Sequence, residues 1–117
     1  MAMQPALFVE LRGELPHARL ERLRELLELS RKGRLDDTQD TEFGYRYLRE
    51  DEGNLVVLRL MRRSDTDWGM RLTYQNEPPL AEAVERLREE IPAAAASVGL
   101  EVDEVRVFPL DGPSMSG

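Results

Sequence analysis

Three runs of alternating side chains between residues 43 and 75 constrain the fold of this chain most strongly. Apolar or aromatic residues recur at every second position of each run. Such alternation is typical of β-strands that bury one face. Two short segments rich in Asp, Ser, Gly and Asn, residues 50–54 and 64–67, separate the runs and favour turns. The pattern therefore predicts three consecutive antiparallel strands.

A period of two assigns these residues to opposite faces of the predicted sheet. We expect one face to form the core, with the residues Phe43, Tyr45, Tyr47, Val56, Leu58, Leu60, Trp68, Met70, Leu72 and Tyr74. The opposite face mixes aliphatic side chains with arginines, and holds Arg46, Leu48, Leu55, Val57, Arg59, Met61, Arg71, Thr73 and Gln75. Because a slip of one residue would exchange the faces, this assignment depends on the register.

Helical and extended patterns flank the three runs. Leucines at helical spacing predict a helix from Pro16 to a cap at Gly33, and a second helix covers residues 76–99, with a kink or break at Pro92. Short strands are expected at residues 7–11 and 105–107. The order β-α-β-β-β-α-β predicts an α+β two-layer sandwich, with both helices on one face of a mostly antiparallel sheet of four to five strands. Without residues 43–49 the order is ferredoxin-like, and whether they join the sheet stays open.

Length and composition favour one soluble domain. A chain of 117 residues with 41% hydrophobic residues can bury a single core, which we assign to residues 1–109. The segment 110–117, rich in Gly and Ser, is predicted to be a disordered tail. No apolar run is long enough to span a membrane, and the first residues do not resemble a signal peptide. We therefore expect a cytoplasmic protein without membrane contact.

The charge balance bears on the partner. A formal net charge of −7 makes a nucleic-acid partner unlikely, and the predicted burial of the tyrosines away from the arginines argues against base stacking. Lys32 is the only lysine beside fifteen arginines. Codon bias and selection for bidentate anion contacts both explain this ratio, and both stay open.

Catalytic and metal-binding patterns are weak. His17 is the single histidine, and the sequence identifies no group to orient it as a base. The acidic run at Asp36, Asp37, Asp40 and Glu42 lacks the spacing and central glycine of a calcium loop. We therefore predict no catalytic residue, no metal site and no cofactor.

The mixed sheet face is the candidate site. It comprises Arg46, Leu55, Val57, Arg59, Met61 and Arg71, joined by Arg106 from the last strand. Aliphatic residues beside arginine are typical of protein interfaces. This composition predicts a non-enzymatic interaction or regulatory accessory module, which binds a protein partner or a second copy of itself.

Two alternatives remain for this face. The arginine stems could simply cover their aliphatic neighbours in a solvated surface. The chain could instead be a ligand-binding domain or small enzyme, in which Arg46, Arg59, Arg71 and Arg106 hold a carboxylate or phosphate group.

Overall fold

A six-stranded antiparallel sheet and two helices make up the fold in the computed structural model, which describes residues 3–110. The strands are β1 (Gln4–Arg12), β2 (Ser30–Arg31), β3 (Glu42–Asp51), β4 (Asn54–Arg62), β5 (Asp67–Gln75) and β6 (Glu101–Val107). The helices are α1 (His17–Leu27) and α2 (Ala81–Ser97). The predicted α+β class, with an antiparallel sheet and two helices, is confirmed.

The spatial order of the strands is β2-β3-β4-β5-β1-β6. Residues 43–49 do join the sheet, as part of β3. The sequence did not predict β2, because a strand of two residues is too short to show alternation. This extra strand adds one reversal of chain direction, so β6 lies antiparallel to β1. The sheet thus has six strands rather than four or five.

The ferredoxin-like order describes only part of the chain. When β2 and β3 are set aside, the remaining elements follow the order β-α-β-β-α-β. The two additional strands extend the sheet beyond β4, at the edge far from β6. Both helices pack on one face and share a single hydrophobic cluster with the inward side chains of the sheet.

Helix α1 ends at Leu27, well before the expected cap at Gly33. Glu28 adopts the left-handed conformation with φ 57°, and its backbone N–H donates to the carbonyl of Glu25. The N–H of Leu29 donates to the carbonyl of Arg24, which closes the helix end. A glutamate therefore takes the capping position that the sequence assigned to glycine.

Helix α2 runs without a break through Pro92, which excludes one of the two expected outcomes, while the kink stays a prediction. Its buried residues Val84, Leu87, Ile91, Ala94 and Ala95 form one continuous stripe against the core. Burial of this stripe holds the helix together across the hydrogen bond that proline cannot make. Neither helix of the described residues is long and apolar enough to cross a membrane.

Both termini of the chain lie partly outside the described residues. Leu110, assigned above to the tail, packs partly against the core. Residues 111–117 of the predicted tail lie outside the described residues, as do residues 1 and 2.

Candidate functional site

A β-bulge at Phe43 decides which side chains share a face with the arginines. Glu42 pairs with Met61 and Gly44 pairs with Leu60, so Phe43 is the extra residue on β3. After the bulge, Tyr45 lies directly opposite Arg59 and Tyr47 opposite Val57.

The expected faces of β3 are therefore wrong for four residues. Tyr45 and Tyr47, assigned to the core, lie on the face away from the helices. Arg46 and Leu48, assigned to that outer face, lie on the helix side. The face assignments on β4 and β5 agree with the structure, where Trp68, Met70, Leu72 and Tyr74 are buried.

The side of the sheet without helices is called the outer face here. Of the candidate residues, it holds Leu55, Val57, Arg59, Met61, Arg71 and Arg106, but not Arg46. Tyr45 and Tyr47 join it from β3, and Phe8 and Glu10 from β1. Within the described residues, no helix covers this face.

Two rows of side chains cross the strands of the outer face at adjacent levels. The arginine row consists of Tyr45, Arg59, Arg71, Phe8 and Arg106, in that spatial order. The glutamate row consists of Glu42, Met61, Gly69, Glu10 and Glu104. Cations thus lie at one level of the face and carboxylates at the next.

Like charges meet within the arginine row. Arg59 and Arg71 are direct cross-strand partners, an arrangement that destabilises an isolated sheet. Arg59 has Glu42 at 3.6 Å. Arg71 has no carboxylate partner within residues 3–110, and its guanidinium lies 5.3 Å from the ring centroid of Phe8. The Phe8 ring in turn packs edge-on against Phe108 at 5.1 Å.

The carboxylates of the glutamate row are paired within the chain. Glu10 accepts from Arg63 at 2.7 Å, and Glu104 accepts from Arg106 at 2.8 Å. The hydrogen bond and the negative charge of Glu104 raise the pKa of Arg106 above its ordinary value. Such pairs at the surface contribute little to stability, so another charge can replace either partner at small cost.

Val57 is buried although it lies on the outer face. It is fully inaccessible to solvent and lies outside the cluster of core residues. Its cross-strand neighbours Tyr47 and Thr73 flank it, and the hydroxyl of Thr73 is buried without a hydrogen-bond partner in the described part of the chain. The side chains of this face therefore already exclude water from its centre.

Arg46 belongs to a different region. Its guanidinium donates to the carbonyl of Leu27 at the end of α1, with a distance of 3.3 Å. It lines a cleft between β3 and the start of α2 together with Arg49 and Arg86. The seven candidate residues therefore divide between the two sides of the sheet.

Several residues of this site do not follow from the sequence pattern. The alternation predicts Tyr45 and Tyr47 on the core face, and it does not connect Glu104 with the site. One signal was present, because an isolated glycine in a strand often marks a bulge, and Gly44 directly follows the bulged residue. A Cβ atom at Gly44 would lie 3.1 Å from the side chain of Leu29, so a larger residue there would require Leu29 to shift.

Of the other residues considered for catalysis or metal binding, His17 and Asp36 line one cleft. His17 is an exposed first residue of α1. Arg62 holds the acidic loop before β3 in place. Its guanidinium donates hydrogen bonds to the carbonyls of Leu35, Asp37 and Asp40. Residues 3–110 contain no group of three or more His, Cys, Asp or Glu side chains that could hold a metal ion.

Comparison with known proteins yields no relative. No protein-family model matches the chain, and neither a curated protein nor a solved structure matches it.

Proposed function

We propose that this protein is a non-enzymatic interaction module that self-associates through its outer face. The observation that carries the proposal is the pair of adjacent rows of opposite charge on a sheet face without helices. A surface that meets a second copy of itself must be self-complementary about a twofold axis. Two parallel rows of opposite sign meet this requirement.

The expected geometry follows from the register. We expect a twofold axis that runs perpendicular to the strands, midway between the two rows. This axis would place the arginine row of each copy opposite the glutamate row of the other copy. Arg71 of one copy would then lie over Gly69 of the other, with Glu10 beside it. A Cβ atom on Gly69 would meet nothing closer than the carbonyl of Val9 at 3.8 Å, so there is room at this position, although neighbouring side chains bury the glycine itself.

Aromatic and aliphatic side chains would supply the desolvated area of this contact. Tyr45 and Tyr47 pack edge-on with ring centroids 5.7 Å apart, and Tyr47 is 45% exposed. Tyrosine and arginine are enriched at the residues that dominate binding energy. In the dimer, glutamates of the second copy would relieve the repulsion between Arg59 and Arg71.

The alternative of an anion pocket on the outer face has less support. Arg59 and Arg71 are neighbours, but Phe8 separates Arg71 from Arg106 along the row. Arg46, the fourth residue of that hypothesis, lies on the other side of the sheet. These four guanidinium groups therefore do not converge on one ligand.

The mass of the protein in solution tests the proposal. Sedimentation velocity of the wild type should give about twice the chain mass of 13.4 kDa at micromolar concentration. Arg71→Glu should give monomers, because a carboxylate at this position would face Glu10 of the second copy. Arg88→Glu, which makes the same charge change on the exposed side of α2, should stay dimeric.

A charge exchange makes the test specific. The double variant Arg71→Glu with Glu10→Arg should recover the dimer, because the two new charges again attract across the axis. Monomeric wild type, or a dimer that Arg71→Glu leaves intact, contradicts the proposal.

Binding of a single-stranded oligonucleotide by monomers, lost in Arg71→Glu, would instead assign the face to nucleic acid. Val57→Glu is unsuitable here, because burying its charge would unfold the chain.

A further inference from the structure

A second β-bulge, at Leu48, brings arginines together on the helix side of the sheet. Tyr47 pairs with Val57 and Arg49 pairs with Val56, so Leu48 is an extra residue on β3. In a regular strand, Arg46 and Arg49 would point to opposite faces. The bulge shifts the alternation by one residue, and both arginines therefore lie on the side of α2.

These two arginines and Arg86 of α2 line one cleft. It has a volume of about 330 Å³ and lies between β3, β4 and the beginning of α2. Apolar side chains complete its wall, chiefly Leu48, Val56 and Leu80. None of the lining residues carries a carboxylate. The cleft, defined by these six residues, is called the basic cleft below.

The three guanidinium groups are held to different degrees. Arg46 donates to the carbonyl of Leu27 at 3.3 Å. Arg49 donates to the carbonyl of Pro78 at 3.4 Å and reaches Glu77 at the same distance, although Glu77 is largely exposed. Arg86 makes no hydrogen bond or ion pair with any residue in the described range. Backbone carbonyls thus fix Arg46 and Arg49, and of the three cations only Arg49 has a carboxylate within ion-pair distance in the described range.

This arrangement is unusual in a chain with a net charge of −7. Within residues 3–110 only Glu77, at the rim, forms an ion pair with an arginine of the basic cleft, although Glu82, Glu85 and Glu89 line a neighbouring groove together with Arg86. Three cations gathered in one concave site repel each other unless an anion lies between them. Guanidinium groups bind phosphate oxygens in bidentate geometry, and several of them can share one phosphate.

We propose that the basic cleft binds the phosphate group of a small organic phosphate. Arg46, Arg49 and Arg86 would contact the phosphate oxygens, and the apolar part of the ligand would lie against Leu48 and Leu80. Leu80 is 66% exposed, the highest exposure among the large apolar residues of the described range, and such a contact would cover it. The cleft volume is at the lower end of the range for ligand sites, which fits a small molecule.

This site shares Tyr47 with the proposed dimer contact but none of its arginines. The basic cleft opens on the helix side, whereas the rows of opposite charge lie on the outer face. A change in the cleft should therefore leave the mass in solution unaltered, and Arg71→Glu should leave ligand binding unaltered.

Phosphorus NMR and thermal unfolding test the site directly. We expect inorganic phosphate to broaden or shift in ³¹P spectra on addition of protein, and phenyl phosphate to raise the melting temperature in a saturable manner. Sodium chloride at equal ionic strength is the reference for screening effects. Arg86→Gln should weaken phenyl phosphate binding at least tenfold. Arg88→Gln, two residues further along α2, is the matched control and should bind as the wild type does.

Three outcomes would overturn the proposal. The first is a shift in melting temperature no larger than that in chloride. The second is equal binding by wild type and Arg86→Gln, a variant that loses no hydrogen bond or ion pair within the described residues. The third is binding of benzoate as tight as that of phenyl phosphate, which would assign the basic cleft to carboxylates. Loss of binding in both Arg86→Gln and Arg49→Gln, with folding retained, supports it.

Discussion

Arg24 is the charged side chain that the fold buries most deeply among the described residues. Its side chain is 7% exposed and joins three parts of the chain. Its guanidinium donates to the carbonyl of Phe43 at 2.8 Å, to the carbonyl of Lys32 at 2.8 Å, and to Glu21 at 2.7 Å. Helix α1 is thereby fixed to the strand that carries the first bulge.

Removal of this guanidinium should destabilise the protein strongly. Arg24→Met keeps most of the side-chain volume but leaves the buried carbonyl of Phe43 and the partly buried carbonyl of Lys32 without this donor, so we expect a loss of about 3 kcal/mol in the free energy of unfolding. Urea denaturation followed by circular dichroism measures this change. Arg22→Met is the control on the same helix, because Arg22 is exposed and should contribute less than about 0.5 kcal/mol. Similar losses in both variants would argue against a special role of Arg24.

At the scale of the element, α2 carries a proline in its interior. Pro92 cannot donate to the carbonyl of Arg88, and helices that contain such a proline lose stability. We expect Pro92→Ala to restore that hydrogen bond and to stabilise the protein by about 1 kcal/mol, since the gain is partly offset by a more flexible unfolded chain. Thermal unfolding measures the effect. An unchanged or lower melting temperature would show that the proline contributes to packing against the core.

Strand β3 shows what could be predicted from the sequence and what could not. The alternation on β4 and β5 is regular, and the sequence placed Val56, Leu58 and Trp68 in the core correctly. On β3 each bulge shifts the alternation by one residue, so the tyrosines and Arg46 exchange faces. A bulge depends on contacts with neighbouring elements, such as that of Gly44 with Leu29, and these contacts are remote in sequence.

At the scale of the whole molecule, the two edge strands of the sheet differ in length. The edge strand β2 has two residues, which gives another chain little to pair with. At the other edge, β6 has seven residues, all exposed, and includes Val102, Val105 and Val107. Only β1 pairs with β6 in the described structure.

Hydrogen exchange should reflect this asymmetry. Amides of β1 and β5, which are paired on both sides, should exchange at rates near that of global unfolding. Amides of β6 that point away from β1 should exchange faster by several orders of magnitude. Exchange measured by NMR resolves these residues individually. Protection of the outward amides of β6 would mean that this edge, rather than the outer face, meets another chain.

Several arginines make contacts that lysine could not make, although the two side chains carry the same charge. Arg24, Arg46, Arg49 and Arg62 each donate to main-chain carbonyls on other segments of the chain. Arg24 and Arg62 reach two and three such carbonyls, which a single ammonium group on a lysine stem could not span in the same directions. Codon usage can account for the number of arginines, fifteen in this chain. Replacing these four by lysine would nevertheless weaken the contacts between segments of the chain, although every charge would be conserved.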